Sequence, residues 1–173
     1  MRYPAPMSTV QTSTAARGPI TARDWAPTPG AQAREAASVV VLRRDAAGMQ
    51  VLLMRRAGTG FFDGLYSLPG GHVEEGESIR ATAVREMREE LGIELAEDAL
   101  EVLGVVHRRS DTNRIDFFLR AQVWVGTPRI AEPHKCDDLR WFARDALPEA
   151  IVPYVRDALA AGAGPWICES GWG

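Results

Sequence analysis

The stretch Gly71–Ile93, GHVEEGESIRATAVREMREELGI, decides how this chain is read. From Glu77 to Leu91 it carries the strongest helical pattern in the sequence, with Ser78 placed to cap its start and Gly92 placed to end it. On a helical wheel with Glu86 at zero, Val84, Met87 and Leu91 fall between about 100° and 160° and form a core-facing stripe. Glu86, Glu89 and Glu90 fall at about 0°, 300° and 40°, a second face apart from that stripe. A solvated acidic face fits poorly. Glu86 repels Glu89 and Glu90 at i+3 and i+4, and the last two sit in the final turn, where the helix dipole opposes negative charge. Arg85 and Arg88 point to other sectors, and of the two only Arg85 is in reach of Glu89 one turn on. Local rules that fail together mark a functional site. A hard divalent cation with oxygen ligands, Mg²⁺ or else Mn²⁺, would gather the three carboxylates, and no His or Cys shares the face to suggest zinc. Because Mg²⁺ takes one or two carboxylates and then phosphate oxygens, the helix predicts a phosphorylated substrate.

On the N-terminal side, ASVVVLRR (37–44) and MQVLLMRR (49–56) are β-branched and aliphatic runs joined by DAAG, and they read as a hairpin. RAGTGFFDGLYSLPGG follows as a long glycine-rich loop enclosing a short strand near Leu65–Leu68. On the C-terminal side, strands are expected at Leu100–His107, Ile115–Val125 and Leu139–Phe142, then a helix over Val152–Ala161 with Pro153 in its first turn. The order β-β-β-α-β-β-β-α has no repeating βα unit. It predicts an α+β arrangement with a mixed sheet and helices packed on it rather than a doubly wound sheet.

The 173 residues suit one domain with short appendages, and 46% hydrophobic against 25% charged residues allow a buried core. A formal charge of -3 disfavours general binding of nucleic acid or of an anionic membrane. Lys135 is the only lysine beside nineteen arginines, whose planar forks suit carboxylate or phosphate. Two cysteines, Cys136 and Cys168, make no disulfide framework and no zinc spacing, which fits a reducing compartment. No apolar run approaches the roughly 18–20 residues of a membrane span, and no signal peptide is visible. Residues 1–35, rich in Pro, Ser, Thr, Ala and Gly, read as a disordered tail with an alternative start at Met7. Arg-bearing and free of acids before Asp24, this tail partly resembles an organelle transit peptide, but it lacks an amphipathic stripe, so a cytoplasmic location is expected. The domain is expected over 36–163, and residues 164–173, with two tryptophans, as a C-terminal tail that docks on the body or on a second subunit.

The quoted stretch also matches a known signature at each of its specified positions. Gly71, Glu77, Arg85-Glu86-Met87, Glu89-Glu90 and Gly92-Ile93 are spaced as in the box of the Nudix hydrolases, which this chain resembles over about residues 37–163. Chance would produce such a match on the order of once in ten million chains of this size. The resemblance implies the Nudix fold, a mixed β-sheet sandwiched between helices. It further implies Mg²⁺-dependent hydrolysis of a nucleoside diphosphate linked to another group. Family roles fall on Glu86, Glu89 and Glu90 as metal ligands with the Gly71 carbonyl, and on Glu77 and Arg85 as a supporting ion pair. The general base is either Glu86 or a carboxylate of a later loop, where Glu132, Asp137 and Asp138 are available and Glu132 is favoured.

The downstream segment EPHKCDDLRWF is similar to that of the MutT-like branch, which cleaves nucleoside triphosphates to monophosphate and pyrophosphate, some of them on oxidised nucleotides. Lys135 belongs to this segment and is a candidate substrate contact. Arg108 and Arg109 are candidates to meet phosphate or ribose, and Phe61 and Phe62, ahead of Tyr66, Phe117 and Phe118, to form a base-stacking wall. His72 is a candidate phosphate neighbour. Other substrates within the same chemistry are nucleotide sugars, capped RNA and alkyl diphosphates. A nucleotide-sensing domain without catalysis is the reading from a different class; such domains commonly lose box carboxylates, and this chain keeps them. The expected partner is a small-molecule nucleotide, with a homodimer compatible with the resemblance.

Overall fold

In a computed structural model, residues 33–109, 112–162 and 164–172 are described; most of the expected N-terminal tail lies outside them. The strands are β1 (Arg34–Asp45), β2 (Gly48–Arg56), β3 (Tyr66–Ser67), β4 (Gly70–His72), β5 (Glu101–Arg109), β6 (Asn113–Ala121), β7 (Cys136–Ala143) and β8 (Trp166–Ser170). The helices are α1 (Ile79–Leu91) and α2 (Pro153–Ala160), with one 3₁₀ turn at Glu97–Ala99.

The expected hairpin forms, with Leu42 opposite Val51 and Asp45 opposite Gly48, and Asp45 Oδ1 accepts from the N–H groups of Ala47 and Gly48 to close the turn. β1 is long enough to serve two partners. Its second half pairs with β2, while its first half pairs in parallel with β6 and antiparallel with β4. One mixed sheet results, in the order β3-β2-β1-β6-β5-β8, with β4 added on β1 and β7 on β2.

The two faces of β1 explain why VVVL reads as a continuous apolar run rather than an alternating one. Val39 and Val41 join Leu52, Leu119, Ala83, Met87 and Leu91 in the layer under α1. Val40 and Leu42 join Val51, Leu53, Phe118, Val155 and Leu159 in the layer under α2. The sheet is therefore covered by one helix on each side, as expected.

α1 begins two residues later than the pattern suggested. Ser78 is the N-cap and accepts from Ala81 N at 3.1 Å, so Glu77 precedes the helix. At the other end Gly92 is left-handed and donates to Arg88 O, the bond of an αL cap, and Ile93 N donates to Met87 O. Pro153 opens α2 at its first turn.

Four local expectations change. β6 starts at Asn113 and stops at Ala121 rather than reaching Val125. β4 forms where a loop is expected, because Gly-Gly has no strand propensity. Its glycines are there for space, since a Cβ on Gly70 would lie 2.0 Å from Ala37 O. β1 begins at Arg34, two residues inside the expected tail. The expected C-terminal tail contains β8, which runs parallel to β5 with Trp166 opposite Gly104 and Ile167 opposite Val105. A Cβ on Gly104 would meet the Trp166 ring at 2.2 Å, so the indole occupies the space that glycine leaves and packs 5.3 Å from the Phe118 ring. Trp172 then stacks on His107 at 4.5 Å and donates to its carbonyl. Among the described residues no helix is long and apolar enough to cross a membrane.

If β8 completes the core as described, Trp166→Ala will lower stability by about 2–3 kcal/mol in urea unfolding, somewhat under the usual range for a large aromatic because the side chain is only partly buried. A loss under about 0.5 kcal/mol would mean that this strand is only an ornament of the sheet.

Candidate active site

A cleft of about 610 Å³ opens at the edge where β4 and α1 meet β1 and the loop before β3. One wall is acidic: Glu86, Glu89 and Glu90 of α1, with Gly70 and Gly71 of β4. The same cleft is lined by Arg56, Phe61, Arg108, Arg114, Lys135 and Tyr154.

Glu86 and Glu90 are buried, each 8% exposed, whereas Glu89 is open to solvent. The wheel placed all three together. It did not show that the face is turned against β4 rather than toward water. Burial raises Glu90 to about 8, opposed by the Gly70 N–H that donates to its Oε2 at 2.8 Å and reinforced by the charge of Glu86. Burial also raises Glu86, against the pull of Arg85. Gly71 is set by contact rather than by φ: a Cβ there would lie 2.1 Å from Glu86 Oε1.

Arg85 is the hub of the acidic wall. Its Nε and Nη2 grip Glu77 bidentately at 2.8 and 3.0 Å, Nη2 also donates to His72 O, and Nη1 reaches Glu86 at 2.8 Å and Glu89 at 3.1 Å. Arg85 thus reaches Glu89, as its spacing allows, and also Glu86, which was expected to go unrelieved, while among the described contacts neither Arg85 nor Arg88 bonds Glu90. Glu77 takes further bonds from Thr82 Oγ1 and Glu74 N. The Arg85 hydrogen bond, more than any other cause, holds its carboxyl at about 2. One ion pair thus ties the loop after β4 to the second turn of α1.

Among the described residues no three metal-ligating side chains close around a single point. Arg85 Nη1 lies between Glu86 and Glu89, and Glu90 faces Gly70 N. The donor set nevertheless suits a hard cation. It is all oxygen, and it holds a buried carboxylate, Glu90, whose one hydrogen-bond partner is a neutral amide. An added positive charge there would offset a desolvation that the protein itself leaves uncompensated.

Of the remaining candidates, Phe61, Arg108, Lys135 and His72 line the cleft. Phe62 does not: it has a left-handed φ of 53°, is 37% exposed, and packs beside Phe61 rather than facing in. Phe118 is core, and Phe117 lies on the opposite sheet face. Arg109 leans toward Trp172, away from the cleft. Glu132 stands behind the cleft wall, bound by Lys135 Nζ at 2.9 Å, and its charge reaches Glu90. Asp137 pairs with Arg55, and Asp138 with Tyr66 and Arg140, so neither turns to the acidic wall. Asp116, Tyr154 and Arg114 were not singled out from the sequence. Asp116 lies inside an apolar strand pattern that gives it no distinguishing signal.

The profile described as NUDIX domain matches residues 33–162. This chain belongs to the Nudix family. It is 37% identical over 101 residues, 58% of the chain, to the NAD-capped RNA hydrolase NudC of Pseudomonas aeruginosa, but spans only 34% of that protein. It is 32% identical over 119 residues, 69% of the chain and 72% of the relative, to a Bacillus subtilis protein named "Putative 8-oxo-dGTP diphosphatase". Among solved structures, a MutT Nudix hydrolase from Burkholderia pseudomallei superposes with a TM-score of 0.67 at 31% identity, covering 75% of this chain and 97% of that one. Nudix enzymes generally use a divalent metal, and the oxygen donor set on α1 fits that requirement.

The Arg85–Glu77 clamp makes a signed prediction. A carboxyl held below its ordinary 4.5 stabilises the fold fully above that pH and loses the effect as pH falls toward about 2. Glu77→Gln is expected to lower Tm most near neutral pH, with the gap to wild type closing below about pH 4. A gap that stays constant down to about pH 2.5 would contradict the clamp.

Proposed function

We propose that this Nudix protein is a Mg²⁺-dependent pyrophosphohydrolase that cleaves nucleoside triphosphates, oxidised ones included, to the monophosphate and pyrophosphate. The observation that carries this reading is a single cleft lined both by two buried carboxylates, Glu86 and Glu90, and by the cations Arg56, Arg114 and Lys135. A triphosphate together with a divalent cation has the charges to match such a lining. The similarity to the Bacillus relative supports the triphosphate, and the absence of His and Cys from the acidic wall supports Mg²⁺ over softer ions, with Mn²⁺ the nearest substitute.

In this reading Glu86, Glu89, Glu90 and the Gly71 carbonyl hold the ion, which when bound neutralises charge on the pyrophosphate oxygens. The protein's own groups do the rest. Arg85, anchored on Glu77, keeps the loop and helix in register and orients Glu86 and Glu89. Arg56, fixed by the Phe61 carbonyl and the Thr59 hydroxyl, keeps its charge turned to the phosphates, and Lys135 adds a second cation. Water attacks one phosphorus, the anhydride P–O bond to the leaving phosphate group breaks, and the proton of the water passes to a carboxylate. The candidates to take it are Glu86, which lines the cleft, and Glu132, whose charge is felt at Glu90. No covalent enzyme intermediate is needed.

A second reading, a nucleotide joined through a diphosphate to a second nucleoside, is favoured by the similarity to the Pseudomonas NudC. One panel separates the two. Phosphate and pyrophosphate release is measured with Mg²⁺ from triphosphates, 8-oxo-dGTP, NAD, ADP-ribose and nucleotide sugars, for wild type and Glu90→Gln. The expected result is pyrophosphate release from triphosphates, reduced at least about a hundredfold in Glu90→Gln, because even an outer-shell change at a metal site costs about that much. Turnover confined to NAD would favour the second reading. Tight binding of a nucleotide without turnover would remove catalysis altogether.

A further inference from the structure

Arg108 and Asp116 form an ion pair in the cleft that the phosphate chemistry leaves unused. They lie on neighbouring strands β5 and β6, 7% and 3% exposed, and Arg108 Nε donates to Asp116 Oδ2 at 2.6 Å. Tyr154, near the start of α2, supports the guanidinium from beneath at 4.5 Å, and the Phe61 ring stands 5.7 Å away. All four line the cleft.

Burying an ion pair is costly, and apolar residues of the same volume would stabilise the sheet as well or better, so the pair calls for a use. Phosphate binding is a poor one. Asp116 neutralises the guanidinium at contact distance and repels an incoming phosphate, whereas Arg56 has only neutral hydrogen-bond partners. What Arg108 retains is direction. Its Nε is committed to Asp116 and its ring stack fixes the plane, so its terminal N–H groups are the part left for a ligand in the cleft. Fixed donors in a half-dry site suit a neutral, planar acceptor edge.

Resting on the nucleotide reading above, we propose that Arg108 selects the base: held by Asp116 and Tyr154, it donates to the ring carbonyl of an oxo-base such as guanine or hypoxanthine and rejects adenine. The purine O6 and N7 edge offers two acceptors to an arginine fork. Adenine presents its amino group there, donor against donor, and a buried polar site left unpaired rejects a ligand far more strongly than a missing methyl group does. Phe61 supplies the apolar wall alongside. Arg108 is then a specificity-determining contact, and Asp116 a positioning residue that acts through it.

IMP and AMP differ in the 6-oxo and 6-amino groups, which makes them the probe pair. Calorimetric titration of the full chain without metal is expected to show IMP binding at least about tenfold tighter than AMP, the scale of one good bidentate base contact. The same ratio is expected in kcat/KM for ITP against ATP. Arg108→Lys keeps the charge but loses the fork, and should bring both ratios close to one. Asp116→Asn, nearly isosteric, should raise KM for ITP more than it lowers kcat and leave KM for ATP little changed. A merely structural defect would move both substrates together. Equal affinity of wild type for IMP and AMP overturns the proposal, as does a selectivity that survives both substitutions. Hydrolysis without base selectivity would remove this assignment and leave the pyrophosphohydrolase. Selectivity in binding without hydrolysis would do the reverse.

Discussion

The buried carboxylate of Glu90 is the constraint around which the rest of the site is arranged. It reaches Gly70 N in a strand only three residues long, under a helix whose other face carries Met87 and Leu91 into the core. Burial raises it to about 8, close to Glu86, whose own carboxylate is pushed up for the same reason. A fold selected for stability alone would place a neutral residue there. The arrangement becomes sensible when a cation supplies the missing charge, and β4 must then be thin enough to let the helix approach. Gly71 meets that need, because any side chain would overlap the Glu86 carboxylate.

Two devices hold the acidic wall together without that cation. Arg85 joins Glu77, Glu86, Glu89 and the His72 carbonyl, so the loop, strand and helix move as a unit. The sheet supplies the second: β1 lies between β4 and β6, so the acidic wall and the strands bearing Arg108 and Asp116 are fixed to a single central strand. His72 and Arg114 meet across that strand at 2.9 Å. Burial and the adjacent arginine keep the imidazole below its ordinary titration range, so the ring serves as a neutral neighbour to the guanidinium.

Much of this was legible in the sequence because periodicity and capping are local. The hairpin, α1 with both caps, α2 with its proline and the sharing of one helix face by three carboxylates follow from spacing alone. What was missed depends on distant partners. Gly70–Gly71 has no strand propensity and pairs because β1 lies alongside. The WICES segment looks like a loose end until Gly104, sixty residues earlier by rough count, opens space for Trp166. Asp116 is an ordinary strand residue until Arg108 arrives across the ladder. Phe61 and Phe62 are adjacent in sequence and equivalent on paper, yet Phe61 lines the cleft and Phe62, with its left-handed backbone, does not.

Glu90 is kept at a cost to the metal-free fold. An acid raised from 4.5 to about 8 holds its proton more tightly when folded, so its burial destabilises increasingly as pH rises through that window. The most direct measurement is thermal unfolding of wild type and Glu90→Gln, with chelator and with Mg²⁺, from about pH 5 to about pH 9. Metal-free Glu90→Gln is expected to gain on wild type as pH rises and to be the more stable protein at the alkaline end. Mg²⁺ is expected to raise the Tm of wild type and to leave the variant nearly unmoved, as for a ligand that binds the native state. A metal-free variant less stable than wild type at every pH, or a Mg²⁺ shift of equal size in both proteins, would contradict this role of Glu90.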